Sequence, residues 1–146
     1  MKRICSVFLM ITFLLCGCTG YERDTSAGEI KLISLSDMET MMKEQKEFVI
    51  VFTQSTCGYC AEFHEMFESY RKNHHVVIYE VPLDEEKELP SVNRALIQTY
   101  FPNFDSTPGI FYAKDGKCIN GINQSQKLNE ELFDNWVQKY KLDKKE

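Results

Sequence analysis

The sequence predicts an α/β fold with a central mixed sheet flanked by helices. Three observations carry this expectation. The run Phe48-Val49-Ile50-Val51-Phe52 is apolar at every position, the pattern of a strand covered on both faces. Apolar residues recur at helical spacing in the segments between strand-like runs. Near the C-terminal end, Lys114-Asp115-Gly116-Lys117 marks a tight hairpin, because Asp-Gly supplies the positive φ angles that such a turn requires. Strands alternating with helices give parallel neighbours, and the hairpin adds antiparallel ones.

Each element follows in order. Ile30 to Leu35 alternates weakly and reads as a short edge strand. Ser36-Asp37-Met38-Glu39 reads as a capping box opening a helix to about Gln45, with Met38, Met41 and Met42 on one side. The buried strand 48–52 comes next. Cys57-Gly58-Tyr59-Cys60 then opens a second helix, whose Cys60, Phe63, Phe67 and Tyr70 form one face; Asn73-His74-His75 ends it. Val76 to Val81 is a strand. Pro90 and Ser91 start a helix containing Val92, Leu96 and Tyr100, which must stop before Pro102. Gly109 to Ala113 and Lys117 to Ile122 are the hairpin strands. Leu128, Leu132, Trp136 and Tyr140 form the stripe of a last helix.

At 146 residues the chain holds one ordinary domain and is too short for two. Hydrophobic residues at 43% and charged residues at 27% exclude a disordered or collagen-like chain. The formal charge of −5 argues against nucleic acid as a partner, which needs clustered positive charge.

The first seventeen residues read as an address. Met1-Lys2-Arg3 is a basic start, and Ile4 to Cys16 is too short to span a bilayer but suits a signal peptide. The run ends in Leu15-Cys16-Gly17-Cys18, which resembles a bacterial lipoprotein signal, although Cys16 is less usual at its position than Ala or Ser. That resemblance implies cleavage before Cys18 and a diacylglyceryl group on its thiol. The alternative is an uncleaved N-terminal anchor. Removing residues 1–17 leaves 15 basic against 22 acidic residues and a charge of −7. Two acyl chains hold a protein to a membrane without a polybasic patch. The expected organisation is a signal peptide at 1–17, a membrane tether at 18–29, the domain at 30–142 and a charged tail at 143–146.

A lone C-x-x-C is a zinc half-site, a redox pair or coincidence. Here the pair follows a buried strand and begins a helix, a Thr-Pro lies 48 residues beyond Cys60, and a hairpin follows that proline. On these residues the chain resembles the thioredoxin superfamily over roughly 30–142. Thiolate, not thiol, is the nucleophile, and a helix N-terminus favours the thiolate of Cys57. Cys60, one turn further on, is the shielded thiol that resolves a mixed disulfide. The resemblance implies that Pro108 is cis and faces the pair, with Thr107, Pro108 and Tyr59 at the substrate-binding surface; the alternative is a trans proline ending a loop.

Departures from thioredoxin itself are visible. The acid that thioredoxins and disulfide isomerase domains carry six residues before the first cysteine is Val51, so no buried carboxylate is expected to take the Cys60 proton. The residue before the first cysteine is Thr56 rather than an aromatic one, and the dipeptide is Gly58-Tyr59 rather than Gly-Pro. His64 stands near where thioredoxins kink the helix with proline. The block from Phe52 to Cys60, the Thr107-Pro108-Gly109 block and the leader together resemble the bacteriocin transport accessory proteins of Gram-positive bacteria. That resemblance implies a membrane-anchored, extracytoplasmic thiol–disulfide oxidoreductase, oxidase or isomerase, acting on cysteine-containing secreted peptides. It implies a membrane or extracellular redox partner and no cofactor. The competing expectations are a membrane-tethered reductase and a non-catalytic binding module accessory to peptide export.

Other residues carry weaker signals. Cys118 reads as a small buried hydrophobe or a third redox thiol. His74 and His75 could complete a zinc set with Cys57 and Cys60, but would lie about 18 Å away along a helix of about twelve residues. His64 reads as a surface residue or a modulator of the pair. Asp84 to Glu88 reads as a solvated loop or a docking face for a basic peptide. Cys18→Ala is expected to move the protein from the membrane fraction to an unprocessed or shed form, checked by metabolic lipid labelling; an unlabelled wild-type chain would contradict the lipobox reading.

Overall fold

The computed structural model describes residues 20–122 and 127–146. The signal peptide at 1–17 and Cys18 lie outside the described residues. The elements are β1 (Glu29–Leu32), α1 (Leu35–Lys43), β2 (Phe48–Thr53), α2 (Gly58–Tyr70), β3 (Val77–Pro82), α3 (Pro90–Tyr100), β4 (Gly109–Lys114), β5 (Lys117–Gly121) and α4 (Glu130–Tyr140). The strands form one sheet in the order β1-β3-β2-β4-β5. β2 runs parallel to β3 and antiparallel to β4, which makes the sheet mixed. β2 is central and every residue of it is buried, which is why its sequence shows no alternation. At the hairpin, Asp115 and Gly116 both take positive φ, at 52° and 71°.

The sheet separates two apolar layers. On one face Ile50 and Phe52 pack with Met38, Met41 and Met42 of α1 and with Ile97 of α3. Phe101 and Phe104 close this layer, with ring centroids 5.6 Å and 5.2 Å from that of Phe52. On the other face Val49 and Val51 meet Phe63, Phe67 and Tyr70 of α2 and Phe133, Trp136 and Val137 of α4. Burying each such side chain contributes about 1.5–3 kcal/mol.

Several local expectations are corrected. The capping box is formed by Ser34 and Asp37, not by Ser36 and Glu39: the Ser34 hydroxyl accepts the Asp37 N–H at 3.1 Å, and the Asp37 carboxylate accepts the Ser34 N–H at 2.9 Å. Starting earlier buries Leu35 in the first turn, and Glu39 is left to bind Lys43 and Tyr100. In α3 the buried positions are Asn93 and Ile97, while Val92 is 48% exposed. The Asn93 amide is tolerated there because it donates to the Glu88 carbonyl at 3.2 Å. Leu128 precedes α4, and Phe133 and Val137 join Trp136 as its buried positions. α2 ends at Tyr70, before Asn73.

The structure also places the expected tether and tail differently. From Tyr21 onward, the stretch assigned to the tether lies against the domain. The Arg23 Nε–H donates to Asp143 at 2.6 Å, and the same guanidinium bonds Asp134, the Tyr70 hydroxyl at 3.0 Å and His74 Nδ1 at 2.9 Å. The Tyr21 hydroxyl donates to Asp143 at 2.6 Å, and the Asp24 N–H donates to the Asp143 carbonyl at 2.7 Å. Asp143, assigned to the charged tail, is only 1% exposed. A buried carboxylate requires a cation and donors around it, and Arg23 and Tyr21 supply them.

Burial disfavours the charged form of Asp134, but hydrogen bonds from Arg23, Tyr70 and Gln138 outweigh it and hold the carboxyl at about 2. A depressed folded-state value contributes stability that is present above the ordinary value of 3.8 and is lost as pH falls toward 2. The loss is on the order of 2 kcal/mol. Arg23→Ala is expected to cost about 3 kcal/mol at neutral pH and to flatten this acid dependence, measured by urea unfolding at stepped pH.

Candidate redox site

β2 ends at Thr53 in the middle of the sheet, and Gln54 to Thr56 turn the chain into α2. The Ser55 N–H donates to both carboxylate oxygens of Asp84 at 3.2 Å, which pins this turn to the loop after β3. Glu86 of the same acidic run accepts the Leu35 N–H at 2.7 Å. The run therefore ties two turns together, which the expectation of a solvated loop or docking face did not include. Those bonds join residues far apart in sequence.

Cys57 is the N-cap of α2, with extended backbone, and its sulfur accepts the Cys60 N–H at 3.1 Å. Cys57 and Cys60 form a disulfide with their Cα atoms 5.2 Å apart. Cys57 is partly exposed, whereas Cys60 is 2% exposed and faces the core. An attacking group can thus reach one sulfur and not the other. The amide and the positive end of α2 both favour negative charge on the Cys57 sulfur when the disulfide opens.

The loop before β4 completes the site. The Thr107–Pro108 peptide is cis, Pro108 is buried, and the Thr107 carbonyl oxygen lies 3.4 Å from Cys57 Sγ. In the disulfide this is a contact; in the dithiol the Cys57 thiol has a carbonyl to donate to. The Thr107 hydroxyl donates to the Gln54 side-chain oxygen at 3.4 Å, linking the two loops. Gly109 follows because a Cβ there would sit 2.7 Å from the Phe104 ring. Tyr59 is 70% exposed between the two cysteines, an aromatic surface beside the reactive sulfur.

No carboxylate stands at Val51 itself, but a buried one lies beside it on the α2 face of the sheet. Glu80 on β3 is 6% exposed and pairs in register with Val51. Its Oε1 accepts the Thr53 hydroxyl at 2.6 Å and lies 2.9 Å from His64 Nε2. Reading one strand position missed a carboxylate supplied by the next strand. The available signal was Glu80 itself, the one charged residue in the apolar run Val76 to Val81.

The remaining candidates are placed apart. His74 stacks on the Tyr70 ring at 4.1 Å and joins the Arg23 cluster beyond the far end of α2. His75 Nδ1 lies 2.9 Å from the Ala27 carbonyl oxygen. Among the described residues no group of three or more His, Cys, Asp or Glu is arranged to hold a metal ion. Trp136 is buried and its indole N–H donates to Asn120 at 3.0 Å. Cys118, on β5, is half-buried, and burial pushes its thiol up.

The sequence model of the family described as thioredoxin-like domain matches residues 36–136. The fold is similar to a mutant thioredoxin from Halobacterium salinarum, at 15% identity and a TM-score of 0.57, covering 79% of this chain and 93% of that one. It is similar to a thioredoxin of Malassezia sympodialis, at 18% identity and a TM-score of 0.56, covering 78% and 92%. Oxidised thioredoxin O1 of Arabidopsis thaliana gives 18% identity and a TM-score of 0.51, over 79% and 98%. No curated protein matches the sequence.

Once the protein is reduced, Cys57 is expected to react with iodoacetamide near neutral pH at least tenfold faster than Cys60 or Cys118, because only its sulfur combines exposure with a helix N-terminus. Peptide mapping after timed quenching checks this, and equal rates at the three thiols would contradict the assigned roles.

Proposed function

The chain belongs to the thioredoxin-like domain family and carries the Cys57–Cys60 disulfide of a thiol–disulfide oxidoreductase, and we propose that it works outside the cytoplasm as an oxidase or isomerase of cysteine-containing secreted peptides such as bacteriocins. The observation that carries the reading is the asymmetric pair: an accessible sulfur at the N-terminus of α2 and a shielded one a turn behind it. A substrate thiolate attacks Cys57 Sγ, and the Cys57–Cys60 bond breaks. Cys60 leaves as a thiolate and takes up a proton. A second substrate thiolate then attacks the substrate sulfur of the mixed disulfide. Cys57 leaves as a thiolate, favoured by the Cys60 N–H, and the substrate holds a new disulfide. A membrane or extracellular redox partner reoxidises the pair. In isomerisation the reduced Cys57 attacks first and the substrate's own thiol displaces it.

Support for location comes from the leader and the Leu15-to-Cys18 block. Disulfides persist outside the cytoplasm, where an oxidase has substrates. Support for direction comes from the Gly58-Tyr59 dipeptide, which lacks the proline of reducing thioredoxins, and from groups that favour the Cys57 thiolate. A stabilised thiolate favours the dithiol form and makes the disulfide a better oxidant. Exposed Tyr59 and the Thr107 backbone beside Cys57 would give an extended peptide an aromatic surface and a backbone edge.

Equilibration of Cys57/Cys60 with glutathione is expected to give a potential at least about 30 mV above the −270 mV of thioredoxin, tenfold or more in the equilibrium constant. A scrambled two-disulfide peptide should be rearranged by the wild type and not by Cys57→Ser. Cys60→Ser should trap a mixed disulfide with the cellular substrate, identified by mass spectrometry. A potential below that of thioredoxin without isomerase activity would favour the tethered reductase. Activity that survives loss of both thiols would favour a binding module.

A further inference from the structure

The resolving step needs a base that the two-cysteine description does not supply. Cys60 is buried, and a buried thiol resists ionisation because its charged form loses hydration. His64 of α2 and Glu80 of β3 meet on this face of the sheet. Cys60 and His64 are four residues apart on α2, which brings their β-carbons within about 6 Å on one helix face. The His64 ring reaches back to the sheet and meets Glu80 at 2.9 Å. Thr53, the last residue of β2 before the active-site turn, donates to the same oxygen at 2.6 Å. Glu80 therefore lies on the α2 face of the sheet, at the level where Val51 leaves no polar group of its own. The His64 side chain is 40% exposed and connects this buried carboxylate to solvent.

We propose that Glu80 is the base that accepts the Cys60 thiol proton when Cys60 resolves the mixed disulfide, and that His64 positions it and passes the proton out to solvent. The proposal rests on the oxidoreductase reading above. In the step, the Cys60 S–H bond breaks and the proton goes to the Glu80 carboxylate. The Cys60 thiolate attacks Cys57 Sγ, the Cys57–substrate bond breaks, and the substrate leaves as a thiolate that takes its proton from water. In the oxidising direction the same carboxylic acid returns the proton to Cys60 as it leaves. α2 carries Cys60 and presents His64 to Glu80, with Glu68 beyond and in electrostatic contact with His64. β2 presents Val51 and Thr53, neither charged, and β1 pairs Leu32 with it. Asp84, in the loop after β3, is engaged by Ser55. Glu80 is thus the buried carboxylate that β2, β3 and α2 supply to this face of the sheet.

The reduced full chain in detergent, with Cys5, Cys16, Cys18 and Cys118 replaced by Ala, is treated with less than one equivalent of Ellman's reagent. Cys57 takes up the thionitrobenzoate group, and its later release at 412 nm reports attack by Cys60 directly. Glu80→Gln keeps the size and the hydrogen-bonding capacity of the side chain and removes the base. It is expected to slow release about a hundredfold near pH 6 and to leave loading of Cys57 unchanged. Its release should then rise tenfold per pH unit and meet the wild type at about pH 8, where hydroxide ionises Cys60. Release that coincides with the wild type at every pH, or that is slowed equally at every pH, would overturn the proposal and leave Glu80 a packing residue. Should Glu80→Gln fail to fold, His64→Gln decides: its side chain is partly solvent-facing, and losing the ring that holds Glu80 at 2.9 Å should slow release near pH 6 about tenfold and leave it unchanged where hydroxide ionises Cys60. Release unchanged near pH 6, or slowed equally at every pH, overturns the proposal. A wild-type chain that loads Cys57 and never releases the group would overturn the oxidoreductase reading itself, an outcome distinct from any difference between variants.

Discussion

A sulfur that is to attack or leave near neutral pH must have its negative charge stabilised before the reaction begins. In this protein the stabilising group is the first turn of α2, whose Cys60 N–H points at Cys57 Sγ from 3.1 Å. Much of the architecture serves to put that turn at the surface and keep it there. β2 is buried along its whole length, so its end is fixed on both sides of the sheet. α2 then anchors through Cys60, Phe63, Phe67 and Tyr70, and its three aromatic rings share a layer with Val49 and Val51. The helix cannot roll without exposing that stripe, and Cys57 therefore keeps its place at the tip.

The active sulfur is also bracketed by loops from two other strands. Asp84 holds the Ser55 amide, and the Thr107 hydroxyl binds Gln54, so the turn before Cys57 is attached to both neighbours of β2. Neither bond is buried deeply, and each contributes only modestly to stability, about 1 kcal/mol. Their consequence is geometric. They help hold the Thr107 carbonyl against Cys57 Sγ at 3.4 Å.

A second polar centre lies at the opposite end of α2. Arg23 joins Tyr70, His74, Asp134 and Asp143, and so ties the N-terminal segment to α2, to α4 and to the C-terminal residues. Such a cluster is costly to break, because removing the guanidinium leaves two carboxylates facing a partly closed site. It shows a division of labour along one helix: charge at the N-terminal end of α2 is free to change with chemistry, and charge at the C-terminal end is locked.

The order of the elements, the hairpin at Asp115-Gly116, the central place of β2 and the position of the cysteine pair were legible in the sequence. These features rest on local signals: periodicity, turn chemistry and the spacing of a helix start, each contained within a few residues. What only the tertiary structure decided is non-local. Ser34 rather than Ser36 caps α1 because Leu35 has a place in the core. Phe133 and Val137 join the buried face of α4 because of where that helix lies on the sheet. Arg23 packs against Asp143 across most of the chain, turning an expected tether and tail into part of the domain. Glu80 reaches the active-site face because β3 lies beside β2 in a register that sets it next to Val51. A carboxylate's meaning depends on what surrounds it in space, and Glu80 is brought beside Val51 and His64 only by sheet pairing and the packing of α2.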